Sequence, residues 1–85
     1  MRLFMVVSVH FLGLHRKLAR TGEVKVPLSR VTRVNDLLRH LNEQYPELSL
    51  NHEDFLVSVN DQMSGPDQIL KANDNIAILP HIGGG

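Results

Sequence analysis

The sequence predicts an α+β fold: a mixed sheet of four to five strands packed on one main helix. Three observations predict it. Leu3–His10 alternates its faces like a strand, and Ile76-Ala77-Ile78-Leu79 is a short apolar run suited to a buried one. Between them, the segment around residues 34–45 switches to helical spacing. The chain has 85 residues, enough for one domain with one small core.

The elements follow in order. In Leu3–His10, Leu3, Met5, Val7 and Val9 share one wholly apolar face, and Phe4, Val6, Ser8 and His10 share a mixed one. Phe11 to Arg20, with Leu14 and Leu18 among basic Arg16, Lys17 and Arg20, suits a loop or a single helical turn. Thr21-Gly22 makes a turn. Glu23–Leu28 is a second strand, with Val24, Val26 and Leu28 alternating against Glu23, Lys25 and Pro27. Its proline places it at an edge or near its end.

Val34, Leu37, Leu38, Leu41 and Tyr45 then form a single apolar helical stripe. Thr32 is the expected N-cap. Asp36 suits the positive pole of the helix dipole, and Pro46 should stop the helix at about Tyr45. After the polar link from Leu50 to Asp54, Phe55–Asn60 reads as a strand. Asn60-Asp61 begins a turn, Gln62–Ser64 is a short return, and Gly65-Pro66 is a second turn. Ile69 and Leu70 look like a short core-plugging turn. Ala72–Asn75 leads into Ile76–Leu79, and Asn tolerates the left-handed backbone that such a turn can require. The order β-β-α-β-(β)-β is that of a β-grasp, the ubiquitin-like fold. Its first and last strands should be central and parallel, because their connection is long and contains the helix.

Composition removes several function classes. Nine Lys and Arg balance nine Asp and Glu, so there is no basic stripe for a phosphate backbone. Cysteine is absent, which excludes disulfides, thiolate zinc sites and cysteine nucleophiles. The N-terminus has no signal-peptide pattern and no segment reaches membrane-spanning length, so the expected address is the cytoplasm. The five histidines show no ligand spacing and are expected at the surface. No glycine-rich loop precedes a helix. The chain is thus expected not to be an enzyme by itself, and to bind no cofactor.

One reactive group remains, the terminal carboxylate. Pro80 cannot donate to a ladder, so pairing should fail there. Gly83, Gly84 and Gly85 lose more freedom on ordering than other residues, so a body of residues 1–82 should end in a flexible tail of residues 83–85. The six residues from Pro80 reach at most ~20 Å. Alone, three terminal glycines equally suit a linker stub.

The ending Pro80-His81-Ile82-Gly83-Gly84-Gly85 resembles that of the ubiquitin-like sulfur carriers of the MoaD/ThiS type, where a strand is followed by Pro-Pro-Val-Ala/Ser-Gly-Gly. His81 and Gly83 depart from that pattern. Val34-Asn35-Asp36-Leu37-Leu38 and Tyr45-Pro46-Glu47-Leu48 resemble the family's helix signature, and Val59-Asn60 its hairpin, with Asp61 where glycine is favoured. Lys17-Leu18-Ala19 carries the likeness loosely. Length and the Tyr-Pro-x-Leu segment look most like the molybdopterin synthase small subunit.

The resemblance implies a chemistry. A carboxylate resists nucleophiles until it is joined to AMP. An E1-like adenylating partner would use ATP to activate Gly85, and sulfur would displace AMP to leave a thiocarboxylate for an acceptor enzyme. That acceptor would be the molybdopterin synthase large subunit, acting on a cyclic pterin precursor in molybdenum cofactor biosynthesis. Pro80, His81, Ile82, Gly83 and Gly84 would thread the partner. Ordering such a tail costs about 1–2 kcal/mol per residue, which suits a carrier that changes partners.

One helix covers one sheet face, so Phe4, Val6, Leu56, Ala77 and Leu79 should leave an apolar docking patch on the other. The same residues also fit a carrier for thiamine, cysteine, tRNA thiolation or tungsten cofactor. They fit a ubiquitin-like modifier joined to lysines, or an interaction module whose glycines do nothing.

Overall fold

The computed structural model describes residues 5–28, 32–48 and 55–80. Strands β1 (Met5–Phe11), β2 (Glu23–Leu28), β3 (Phe55–Val59), β4 (Gln62–Met63) and β5 (Asn75–Pro80) form one sheet in the order β2-β1-β5-β3-β4. Helix α1 (Leu14–Ala19) follows β1, and helix α2 (Val34–Gln44) follows β2 and runs into a 3-10 turn, Pro46–Leu48. β1 and β5 are parallel neighbours, Ser8 beside Asn75 and Phe11 beside Ile78, and every other pairing is antiparallel. This is the β-grasp arrangement read from the element order.

The alternation in each strand decides what the core contains. Val7, Val9 and Phe11 of β1, Val26 of β2, Val57 and Val59 of β3, and Ile76 and Ile78 of β5 are buried. Val34, Leu37 and Leu41 of α2 are buried too and close one cluster with those strand residues. Phe11, expected in a loop, is the last residue of β1. Its N–H donates to the Gly22 carbonyl at 3.0 Å, and its side chain is buried edge-to-face against Tyr45.

That bond sets the phase of the β1–β2 ladder. Hydrogen-bonded pairs alternate in an antiparallel ladder, so those in step with Phe11 and Gly22 are Val9–Val24, Val7–Val26 and Met5–Leu28. The backbone groups of Glu23, Lys25 and Pro27 therefore turn to the free edge. Pro27 removes no ladder bond, which is why this edge strand accepts it.

Three local readings change. The segment expected as a loop or a single turn contains α1, six residues long. Its sides pack on β1, β5 and the 3-10 turn, and that packing, not intrinsic propensity, holds so short a helix. The N-cap of α2 is Arg33, not Thr32: Arg33 is extended (φ −97°, ψ 164°), while the Thr32 carbonyl accepts from Leu70 N–H at 2.8 Å. Arginine has no acceptor with which to cap. The first-turn amides of Val34 and Asn35 instead donate to the carbonyls of Gln68 and Pro66, both at 2.9 Å, and Asp36 accepts from Arg33 N–H at 3.0 Å. Ile69 and Leu70 form no plug together. Leu70 is buried, but Ile69 is exposed and forms a bridge to Arg33.

The turns agree with their chemistry. Asn60 and Asp61 both have positive φ, 52° and 70°, between the paired residues Val59 and Gln62. That is a two-residue type I′ hairpin. Asn73 adopts φ 67° ahead of β5, the left-handed backbone that asparagine was expected to tolerate in this turn. α2 ends at Gln44, and Tyr45 N–H closes the last turn on Leu41 C=O at 2.8 Å before Pro46.

Candidate functional site

The site is the C-terminal end of β5. Its inward residues Ile76 and Ile78 are fully buried, whereas Ala77 and Leu79 point to the opposite face and are half-buried. Two flanking strands and that core hold the strand, so the chain leaves the sheet from a fixed place. Pairing runs one step further than expected: Pro80 is the last paired residue, opposite Phe55. His81, Ile82, Gly83, Gly84 and Gly85 lie outside the described residues, as does the boundary expected between residues 82 and 83.

The uncovered face carries part of the expected apolar patch. Leu79 pairs directly with Leu56, which is 41 % exposed, and the next rung along β3 is Ser58 with Ala77. Met63, opposite Ser58 on β4, is 63 % exposed. Together Leu56, Leu79, Ala77 and Met63 make an apolar strip beside the exit of the chain. Val6 is also exposed but lies elsewhere: it pairs with Pro27 and precedes Ser8, which stands beside the first residue of β5. Four residues of strand, about 13 Å, separate that level from Leu79. Ser8, Lys25 and Glu23 lie on this part of the face, with Lys25 Nζ donating to Ser8 Oγ (3.0 Å) and pairing with Glu23 (3.4 Å). Phe4 lies outside the described residues.

Sequence reasoning missed two neighbours of the exit. Leu12 follows Phe11, the partner of Ile78, so it reaches the level of Leu79, and it is exposed. Leu14, the first residue of α1, is exposed as well. Their signal was present: two leucines in a segment otherwise rich in basic residues. α1 also carries exposed Arg16 and Lys17, with Arg20 just after it, so this end of the molecule presents cations beside apolar surface.

His15 is the third missed residue. It is buried, not at the surface, with its ring edge-to-face against Phe55 at 6.1 Å. Its Nδ1 is buried with no hydrogen-bond partner among the described residues. Burial penalises the imidazolium, so its pKa is lowered from 6.5. His15 thus packs on the residue that pairs with Pro80.

Among the described residues, no three His, Asp or Glu side chains group to hold a metal, and no helix is long and apolar enough to cross a membrane. What the arrangement offers is a fixed exit for a chain end, with an apolar and cationic surface around it.

Comparison with known proteins agrees with that geometry. The model of the ThiS family matches residues 9–85. A molybdopterin synthase sulfur carrier subunit from Dictyostelium discoideum is 39% identical over 64 residues, 73% of each chain. Among solved structures, the small archaeal modifier protein 1 of Methanosarcina acetivorans superposes with a TM-score of 0.77 at 25% identity, covering 98% of this chain and 99% of that one. Subunits 1 and 2 of the molybdopterin-converting factor from Helicobacter pylori have been solved as a complex. One chain of it matches with a TM-score of 0.65 at 22% identity, covering 95% of this chain and all of that one.

Proposed function

Because this chain belongs to the ThiS family, we propose that it carries sulfur as a thiocarboxylate on Gly85, for molybdopterin synthesis. The observation that carries this reading is the similarity to the Dictyostelium sulfur carrier subunit, in a chain that ends Gly83-Gly84-Gly85 soon after a central strand. The absence of cysteine supports it, since no side-chain thiol can bear the sulfur.

The chemistry proceeds in three exchanges. The Gly85 carboxylate attacks the α-phosphorus of ATP, and pyrophosphate leaves. Sulfide then displaces AMP from the acyl carbon, leaving the thiocarboxylate. Its sulfur displaces a leaving group from a carbon of the acceptor's substrate to give an acyl thioester. Water then cleaves the acyl carbon–sulfur bond, restoring the Gly85 carboxylate and leaving the sulfur on the substrate. ATP belongs to the site of an E1-like adenylating enzyme, and the catalytic groups of sulfur transfer belong to the acceptor, a partner of the large-subunit type. The chain itself is the carried co-substrate, working in the cytoplasm. Leu56 and Leu79 dock the partners, and residues 80–85 enter their channels. Arg16, Lys17 and Arg20 favour partners with an acidic rim.

The test is mass spectrometry of the protein from its native host, with ATP–pyrophosphate exchange by the cognate adenylating enzyme. A terminal oxygen-to-sulfur replacement and exchange dependent on this chain are expected. No exchange with an authentic partner would refute the reading. The likeness to an archaeal modifier protein favours a second one, attachment of Gly85 to lysines. Lysine conjugates without thiocarboxylate would select it.

A further inference from the structure

A groove between the free edge of β2 and helix α2 plays no part in the function proposed above. Its volume is about 300 Å³, at the lower end of the range for binding pockets. Val24, Val26 and Pro27 line it from the strand, Leu41 and Tyr45 from the helix side. Lys25, His40 and Gln44 complete it, with no carboxylate in the lining; the Lys25 ammonium itself turns to the opposite sheet face, where it meets Ser8 and Glu23.

A second, independent observation is the hydrogen-bonding pattern of that edge. The ladder phase turns the backbone of Glu23, Lys25 and Pro27 outward. Glu23 is satisfied locally: the Thr21 hydroxyl accepts from its N–H at 3.3 Å and donates to its carbonyl at 2.9 Å. Lys25 N–H, Lys25 C=O and Pro27 C=O are left directed away from the sheet, which is the pattern an added strand uses. A strand bonded to Lys25 lies along the groove, and its alternate side chains drop onto Val24, Val26 and Leu41.

We propose that this edge binds an extended segment of another protein by strand addition. Aliphatic residues of that segment fill the groove; beyond them, a carboxylate on the groove side faces His40 and one turned to the outer face meets Lys25. A second copy of this chain fits less well. One antiparallel register that satisfies both Lys25 groups sets two copies of Lys25 face to face, and like charges directly opposite repel. The other, Lys25 against Glu23, has to displace the Thr21 hydroxyl that already bonds both backbone groups of Glu23. Pro27 supplies no N–H for a shifted register. The acidic flank contributes the smaller share, because Lys25 already pairs with Glu23 at 3.4 Å and both side chains are well exposed.

The experiment is an NMR titration of the full chain with an N-acetylated, C-amidated probe peptide, Val-Ile-Val-Ile-Asp-Glu-Asp-Glu. Saturable shifts are expected at the amides of Val24, Lys25, Val26 and Leu28 and of Leu41, Gln44 and Tyr45, with the outer-face residues Leu56 and Leu79 unmoved. Lys25→Pro removes the outward N–H without touching a β1–β2 bond, and is expected to weaken binding on the order of tenfold. A probe N-methylated at alternate residues tests the same bond with the wild-type protein, and is expected to lose binding. Lys25→Glu is expected to weaken the acidic probe a few-fold and to strengthen one with a Lys-Arg flank. The proposal is overturned by shifts confined to the outer sheet face, by equal binding of the N-methylated probe, or by no binding at millimolar peptide. Concentration-dependent dimerisation through β2, seen by sedimentation, overturns the choice of occupant.

Discussion

The two ends of β5 are held by different chemistry. At the Asn75 end a polar knot ties four segments. Asp74, buried, accepts from Lys71 N–H at 2.7 Å and from Asn60 Nδ2 at 2.9 Å. Asn60 and Asn75 exchange two further bonds, Asn60 N–H to Asn75 C=O at 2.7 Å and Asn75 N–H to Asn60 Oδ1 at 2.9 Å. Ser8 N–H donates to Asp74 C=O at 3.0 Å, and Asn73 N–H to Val6 C=O at 2.8 Å. The Pro80 end has apolar contacts: Leu79 against Leu56, and Phe55 against the ring of His15. Directional bonds with several redundant partners fix where the strand begins. Apolar surface, which a partner can cover, surrounds the place where the chain leaves.

The contrast predicts that damage at one end costs stability and at the other costs function. The largest effect is expected from removing Gly84 and Gly85. Adenylation by the cognate enzyme should be abolished while the melting temperature stays nearly unchanged, since two glycines carry no side chain to bury. A large fall in melting temperature would break the comparison.

Gly84→Ala comes next. A β-carbon there should obstruct the narrowest part of a channel and lower ATP–pyrophosphate exchange on the order of a hundredfold. Gly83→Ala, at a position where related carriers have alanine or serine, should be tolerated. Equal damage from both would remove the distinction.

Leu56→Asp should weaken binding to either partner by about 2 kcal/mol or more, measured by calorimetry. Its stability should change little, because the side chain is already in water. At the other end, Asp74→Ala leaves the Lys71 N–H and the Asn60 amide without their acceptor. It should cost about 1–3 kcal/mol in denaturant unfolding with exchange activity retained.

The smallest effect concerns His15. Its folded pKa lies below its unfolded value of about 6.5, so below that value the unfolded chain binds more protons. The contribution of His15 is whole above pH 6.5 and is lost as pH falls toward and through the folded pKa. Wild type should therefore lose more stability than His15→Phe on acidification from neutral pH. Parallel pH profiles of the two proteins would contradict this account.

Most of the scaffold was legible because neighbouring residues dictate it. The period of Val34, Leu37, Leu41 and Tyr45 gave the helix, and Pro46 its end. The faces of β1 and β2 followed from alternation, and β5 was marked by its apolar run. Asn60-Asp61 and Asn73 signalled left-handed backbone through residue type alone. The end of β5 was legible to within one residue, since a proline closing an apolar run is a local pattern, although Pro80 itself still pairs with Phe55. His15 was not, because nothing in His15-Arg16-Lys17 says which way a short helix turns. Nor was the start of α2, capped by carbonyls of residues 66 and 68, more than thirty positions away.

The sequence by itself thus determined the elements and their order, because spacing, proline and glycine act over a few bonds. Tertiary structure alone decided which distant groups meet. It split Val6 from Leu56 and Leu79 on the outer face, buried His15 beneath Phe55, and turned Lys25 rather than Val24 to the free edge. Those choices depend on strand register and phase, which are set by whole faces seeking burial together and not by any one stretch of the chain.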